Sequence, residues 1–120
     1  MFSMTQSASQ SASFVKDVAE NLKVFTVRDE AGFPAPMNGE GKRAMPFWST
    51  LSRVQTIIQS VPAYHGFEAV ELSWESFRDS WLPGLKRDGI LVGMNWTGPK
   101  ATGYDFEPEE VIRRIEFEIG

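Results

Sequence analysis

Apolar residues recur at helical spacing in four stretches of the chain, and short alternating or continuous apolar runs lie between them. Phe14, Val15, Val18 and Leu22 follow i, i+1, i+4, i+8, which predicts a helix with one apolar face and Ser11 or Ser13 as its cap. "VFTVRD" (24–29) is rich in β-branched and aromatic residues and reads as a strand. "EAGFPAPMNGEG" (30–41) holds three Gly and two Pro and is turn chemistry throughout. An antiparallel hairpin is expected, with Lys42–Trp48 returning against Val24–Asp29. Ser49 is placed to cap a second helix that buries Leu51, Val54, Ile58 and Val61, and Pro62 stops it.

"FEAVELS" (67–73) alternates and predicts a third strand with one well-buried face. Ser73 then caps a third helix whose stripe is Trp74, Phe77, Trp81, Leu82 and Leu85, with Pro83-Gly84 bending or ending it. Asp88-Gly89 makes a turn into "ILVGMNW" (90–96), the clearest strand, and a short edge strand is expected near Thr102–Phe106. Pro108 suits the first turn of a last helix that buries Val111, Ile112, Ile115 and Ile119, with Phe106 stapled to Val111. The order α-β-β-α-β-α-β-(β)-α defines an α+β class: one mainly antiparallel sheet of about four or five strands packed with about four helices. Residues 1–10 are Ser/Gln-rich without apolar periodicity and read as a flexible tail, leaving 11–120 as one domain. A hydrophobic content of 42% with nine Phe and four Trp sustains a core without staples, and no cysteine is present for disulfide or thiolate chemistry.

"GKRAMPFWS" (41–49) followed by a helix, and "WLPGLKRDGILVGMNW" (81–96), resemble the DUF2750 family of small bacterial domains of uncharacterised function. Phe77, the Trp81-Leu82-Pro83-Gly84 corner and Asp88-Gly89 belong to the same pattern. "VRDEAGF" (27–33) fits the upstream strand and turn, and the helix from Pro108 fits the last element. The resemblance covers roughly residues 14–119; it implies the fold and brings no catalytic residues with it.

A net charge of −4 and a pI near 5.0 turn the expectation away from nucleic acid, whose phosphates need clustered Lys and Arg. Lys42-Arg43 and Lys86-Arg87 read as solvated turn residues. No apolar run approaches the ~18 residues of a membrane span, and "MFSMTQSASQSAS" has no basic n-region or apolar h-region. A soluble cytoplasmic protein is the expectation. Gly41-Lys42 fails as a phosphate loop, because Pro36 stands where the first Gly belongs and Arg43 where Ser or Thr belongs. His65 is the only imidazole and lies in a loop, with no Ser in a nucleophile-elbow context. Glu107, Glu109 and Glu110 read as first-turn acids that offset a helix dipole, and neither Glu68/Glu71 nor Glu116/Glu118 has a spacing that demands a shared cleft. No catalytic residue, metal site or cofactor is expected, and the balance leans against an enzyme.

Trp81 is expected in the core. Trp48 and Trp96 end strands beside polar turns, so they either close the core edge or bring their rings to a common rim. Pro46 fits an edge strand or a bulge. The leading expectation is a non-enzymatic domain that binds a protein partner in the manner of an immunity or regulatory protein. Arg43, Trp48, Tyr64, Asn95 and Trp96 form its candidate interaction surface. The rival is a small-molecule-binding or enzymatic domain with a pocket near Arg43, Trp48, Asn95 and Trp96.

Overall fold

A computed structural model describes residues 6–120. Helix α1 (Gln6–Asn21) leads to β1 (Lys23–Arg28), and a long loop carries the chain to β2 (Ala44–Phe47), α2 (Leu51–Ser60) and β3 (Glu68–Ser73). A helical stretch follows in three parts: α3 (Trp74–Ser76), a π turn (Phe77–Trp81) and α4 (Leu82–Asp88). Then come β4 (Leu91–Met94), β5 (Asp105–Phe106) and α5 (Pro108–Ile119). The class is α+β, as the pattern predicts. The strands form two small sheets, β1-β3 and β2-β4-β5, where a single sheet was expected.

The pairing departs from the expected hairpin. β1 pairs antiparallel with β3 from Lys23↔Ser73 to Arg28↔Glu68, and β2 runs parallel to β4 from Ala44↔Leu91 to Phe47↔Met94. All four residues of β2 are buried, the continuous apolar run that a parallel strand covered on both faces requires. Between β1 and β2 only one bridge survives: Phe25 N–H donates to Trp48 O at 2.8 Å and Trp48 N–H to Phe25 O at 2.7 Å. That bridge stitches the two sheets together. The loop between the strands closes on itself instead, with Ala44 N–H donating to Pro36 O and Asn38 Oδ1 accepting from the backbone N–H groups of Glu40 and Lys42. Pro46 lies on an edge strand, as its missing donor demands. Its carbonyl accepts from Thr26 Oγ1 at 2.9 Å, on the β1 side. An extended residue points its N–H and C=O the same way, so the absent donor does not interrupt the ladder with β4.

The three-stranded sheet separates two apolar clusters. Met45, Phe47, Val92 and Met94 face one, where Phe14 and Val18 of α1, Phe77, Leu82 and Leu85, and Val111 and Ile115 of α5 complete it. Phe77 is edge-on to Phe47 with ring centres 4.8 Å apart. Ala44 and Leu91 face the other cluster, with Val54 and Ile57 of α2, Trp48, Tyr64 and Trp96. Trp81 is half-buried at the margin of the first cluster, where its ring meets Phe33 edge-on at 4.8 Å and holds the long loop down.

Several local expectations shift by a residue or a turn. α1 already begins at Gln6, so 6–10 are helical and Gln10 is buried; residues 1–5 of the expected tail lie outside the described residues. Ser11 is accordingly inside the helix, donating to Ala8 O, and caps nothing. Thr50 rather than Ser49 caps α2, its hydroxyl accepting from Arg53 N–H, which turns Leu51 outward and Ile57 inward. Leu22 lies beyond the end of α1 with φ 57, and Leu22 and Ile119 are exposed because each falls where its helix has run past the core. β3 has no fully buried residue, with Ala69, Val70 and Leu72 half-buried where one well-buried face was expected. Ser73 does cap the third helix, accepting from Ser76 N–H at 3.0 Å. Pro83 does not end it. Leu82 N–H reaches back to Phe77 O, and this widened turn accommodates a ring that would otherwise press on the carbonyl four residues back. The helix stops at Gly89 (φ 70), where Gly89 N–H donates to Lys86 O and Ile90 N–H to Leu85 O in a Schellman motif.

Gly93 sits against the indole of Trp96, and a Cβ there would overlap Trp96 Cε2 and Cζ2. Gly93→Ala should therefore destabilise the fold by about 1–3 kcal/mol, the usual cost of overpacking. Urea unfolding measures it; an unchanged midpoint would mean that the indole swings aside freely.

Candidate functional site

The site grows from the end of β4. Asn95 takes φ 54, the left-handed region that Asn tolerates better than other residues with a Cβ. Its N–H donates to Phe47 O, which extends the β2–β4 pairing by one bond. Its side-chain Oδ1 accepts from Ser49 N–H at 2.9 Å, and its Nδ2 donates to Ser49 Oγ at 3.0 Å. Ser49 Oγ in turn donates to Asp17 Oδ2 at 2.8 Å, so one buried amide ties α1 to the ends of β2 and β4. Trp48 Nε1–H donates to Trp96 O at 2.8 Å, and the Trp48 ring stands edge-on to Tyr64.

Of the five residues expected to form an interaction surface, the structure brings Trp48, Tyr64 and Trp96 into one cluster and buries them with Asn95. Their exposures are 1%, 6%, 6% and 1% respectively. They form no exposed aromatic rim, because each of Trp48 and Asn95 satisfies its polar end inside the protein. Arg43 alone is exposed, with Nη1 donating to Ala35 O at 2.9 Å.

Arg43, Tyr64 and Trp96 meet again at a cleft of about 690 Å³. One lip is the loop from Pro34 to Gly39, and the other is the turn from Lys100 to Asp105; Ala63 and Phe67 close the side beyond α2. Both lips are held by backbone chemistry. Thr97 and Thr102 exchange N–H···O bonds across the second turn, and Ala101 N–H donates to Gly98 O. Ala101 itself takes φ 51, at a cost of about 1–2 kcal/mol for a residue with a Cβ. Its burial among the apolar residues of the second cluster offsets that strain. The two lips are tied directly: Asn38 Nδ2 donates to Asp105 Oδ2 at 2.9 Å. The amide orientation is fixed, since Asn38 Oδ1 already accepts two backbone N–H groups.

The cleft wall is apolar and aromatic for most of its length, from Pro34, Ala35, Pro36 and Met37 to Tyr64, Phe67 and Trp96. Its charged groups are Arg43, Lys100 and Asp105. Among the described residues neither cation has a carboxylate partner. Asp105 Oδ1 is buried and accepts no hydrogen bond. Burial raises the Tyr64 phenol above its ordinary pKa of 10.0. Among the described residues Asp105 is the only carboxylate on the cleft, and no imidazole lines it. His65 is exposed elsewhere, with Nε2 against Gln59 O at 3.1 Å. Glu109 and Glu110 engage Lys86 and Arg114, and Glu68 and Glu71 engage Arg28 and Lys23 across β1 and β3. Among the described residues no three His, Asp or Glu side chains converge as metal ligands, and no helix is long and apolar enough to cross a membrane.

Residue types and spacing single out neither Asn38, Lys100 nor Asp105. The available signal was the pair of Gly/Pro-rich loops at 30–41 and 98–103, since binding residues concentrate on loops held by a rigid scaffold.

An α+β domain with a loop-built cleft over an aromatic floor is the class that these observations define. The chain belongs to the DUF2750 family, described as proteins of unknown function, whose family model matches residues 11–115. No curated protein matches the chain.

The raised Tyr64 pKa carries a pH dependence with a defined sign. The folded state holds the phenolic proton more tightly than the unfolded chain, so this contribution to stability is complete below pH 10.0 and is lost as pH rises towards the folded pKa. Ultraviolet titration of the phenols should show one group ionising late, and Tyr64→Phe should remove that late phase.

Proposed function

We propose that this protein is a non-catalytic binding domain whose cleft takes a small amphipathic molecule bearing an acidic group. The observation that carries the reading is the pairing of an aromatic floor with two cations, Arg43 and Lys100, that no carboxylate of the described chain neutralises. The cleft volume of about 690 Å³ lies within the range of small-molecule sites, which combine apolar walls with a few placed polar groups. An acidic ligand group gains charge-assisted hydrogen bonds from the guanidinium, while its apolar body covers Met37, Phe67 and the edge of Trp96. A protein interface anchored on Trp48 and Trp96 is the weaker reading, because buried rings cannot serve as anchors. General acid–base chemistry is equally disfavoured: Asp105 is the one carboxylate on the cleft, and Asn38 holds one of its oxygens.

A matched pair of probes tests this reading. 3-Phenylpropionate and 3-phenylpropylamine share an apolar body and differ in the sign of their charge. Titration followed through the Trp96 indole N–H resonance should show saturable binding of the acid, at least about tenfold tighter than the amine. Arg43→Ala combined with Lys100→Ala should abolish that preference, and Ala63→Trp, at an exposed wall position, should block the site. Equal affinity for both probes, or no saturable response, would overturn the proposal.

A further inference from the structure

A second surface shares no residue with the cleft. Helices α1 and α5 send Phe14 and Val18, and Val111 and Ile115, into the core. Their outer flanks leave a groove of about 570 Å³ with Ala12, Val15 and Phe117 as its apolar residues. Phe117 is 85% exposed, although the core-facing positions of α5 are Val111, Ile112 and Ile115. An aromatic ring on the solvent side of an amphipathic helix gains nothing for the isolated fold. Around it stand Lys16, Arg113 and Arg114 against the single carboxylate Glu118. Arg114 is held by Glu110 at 2.6 Å and lies over the Phe106 ring, whereas Lys16 and Arg113 have no ion-pair partner among the described residues. The groove rim is therefore cationic on a chain whose net charge is −4.

We infer that the α1–α5 groove docks an acidic amphipathic helix of a protein partner. Its apolar residues, at i, i+3 and i+4 spacing, would cover Phe117, Val15 and Ala12, and its flanking Asp or Glu would meet Lys16 and Arg113. Charge selects this occupant over a second copy of the chain. Two copies related by a twofold axis through this face would bring the unpaired Lys16 and Arg113 of each together, with only Glu118 of each copy left to offset them.

Fluorescence anisotropy with a labelled peptide of about 18 residues, leucine on one helical face and glutamate on the other, tests the inference. Saturable binding is expected, and a counterpart with lysine in place of glutamate should bind at least about tenfold more weakly. Phe117→Ser, at a position too exposed to support the fold, should weaken the glutamate peptide at least about tenfold, as should Lys16→Glu with Arg113→Glu. The chain has no cysteine, so an environment-sensitive dye on Ala12→Cys reports occupancy of the groove directly. Equal affinity for the two peptides, unchanged binding by the variants, or a silent dye on saturation would overturn the inference. A monomer–dimer equilibrium abolished by Phe117→Ser would reassign the face to a second copy. Phe117-dependent sedimentation with vesicles of equal phosphatidylcholine and phosphatidylglycerol, without peptide binding, would reassign it to a membrane surface.

Discussion

The Trp96 indole is packed between two glycines, and the architecture of the cleft side depends on that contact. A Cβ at Gly93 would overlap the ring from the strand below, and one at Gly103 would come within 2.8 Å of Cδ1 from the turn above. Close packing without voids makes such a position intolerant, and Gly93, paired on both sides in its sheet, cannot retreat without disturbing the ladder. Trp96 also fixes its neighbours chemically. Its carbonyl accepts the Trp48 indole N–H, which orients the Trp48 ring against Tyr64, and its edge reaches the cleft floor. One residue thus links β4, the end of β2, the α2 layer and the second lip of the cleft.

Asn95 supplies the polar half of the same junction. A buried amide left without partners would cost about 1–3 kcal/mol, so Asn95 specifies a geometry as well as filling space. Its left-handed backbone turns the chain out of β4 so that Trp96 can fold back over Gly93, and its side chain locks the Ser49 backbone that leads into α2. The junction of sheet, α1 and α2 is consequently rigid where the two lips above it are loops. Loops hydrogen-bonded to one another over a packed floor hold binding-competent side chains in place.

Net charge gives a poor guide to the local fields. Asp79, Glu68, Glu71, Glu109 and Glu110 each lie beside a Lys or Arg in exposed pairs that contribute little to stability. Seven cations have no ion-pair partner among the described residues, and Lys42, Arg53 and Arg87 of these line neither concavity. Arg43 and Lys100 stand at the cleft, and Lys16 and Arg113 at the α1–α5 groove. An acidic chain therefore carries two concavities in which unpaired cations stand beside apolar residues.

Local periodicity located the helices and much of their buried faces, though not that of α2, where Leu51 is exposed and Ile57 buried. Phe14 and Val18, Phe77, Leu82 and Leu85, and Val111 and Ile115 all point where their 3.6-residue spacing puts them. Ser73 at a helix start and the turn at Asp88-Gly89 were legible, whereas Ser49 as a cap was one residue off, since Thr50 holds that place. Strand partners were not. "AMPF" carries no alternation, so nothing local distinguishes a hairpin return against β1 from a parallel run beside β4, and the non-local burial of both its faces decided for the second. The same limit hid the cleft. Arg43, Tyr64, Asn95 and Trp96 were legible as candidates from residue type, but whether a Trp at a strand end points to water or into the core depends on what packs over it. Only the tertiary structure, by setting Gly93 and Gly103 against the ring, decided between the two and placed Trp96 at the core edge, lining the cleft.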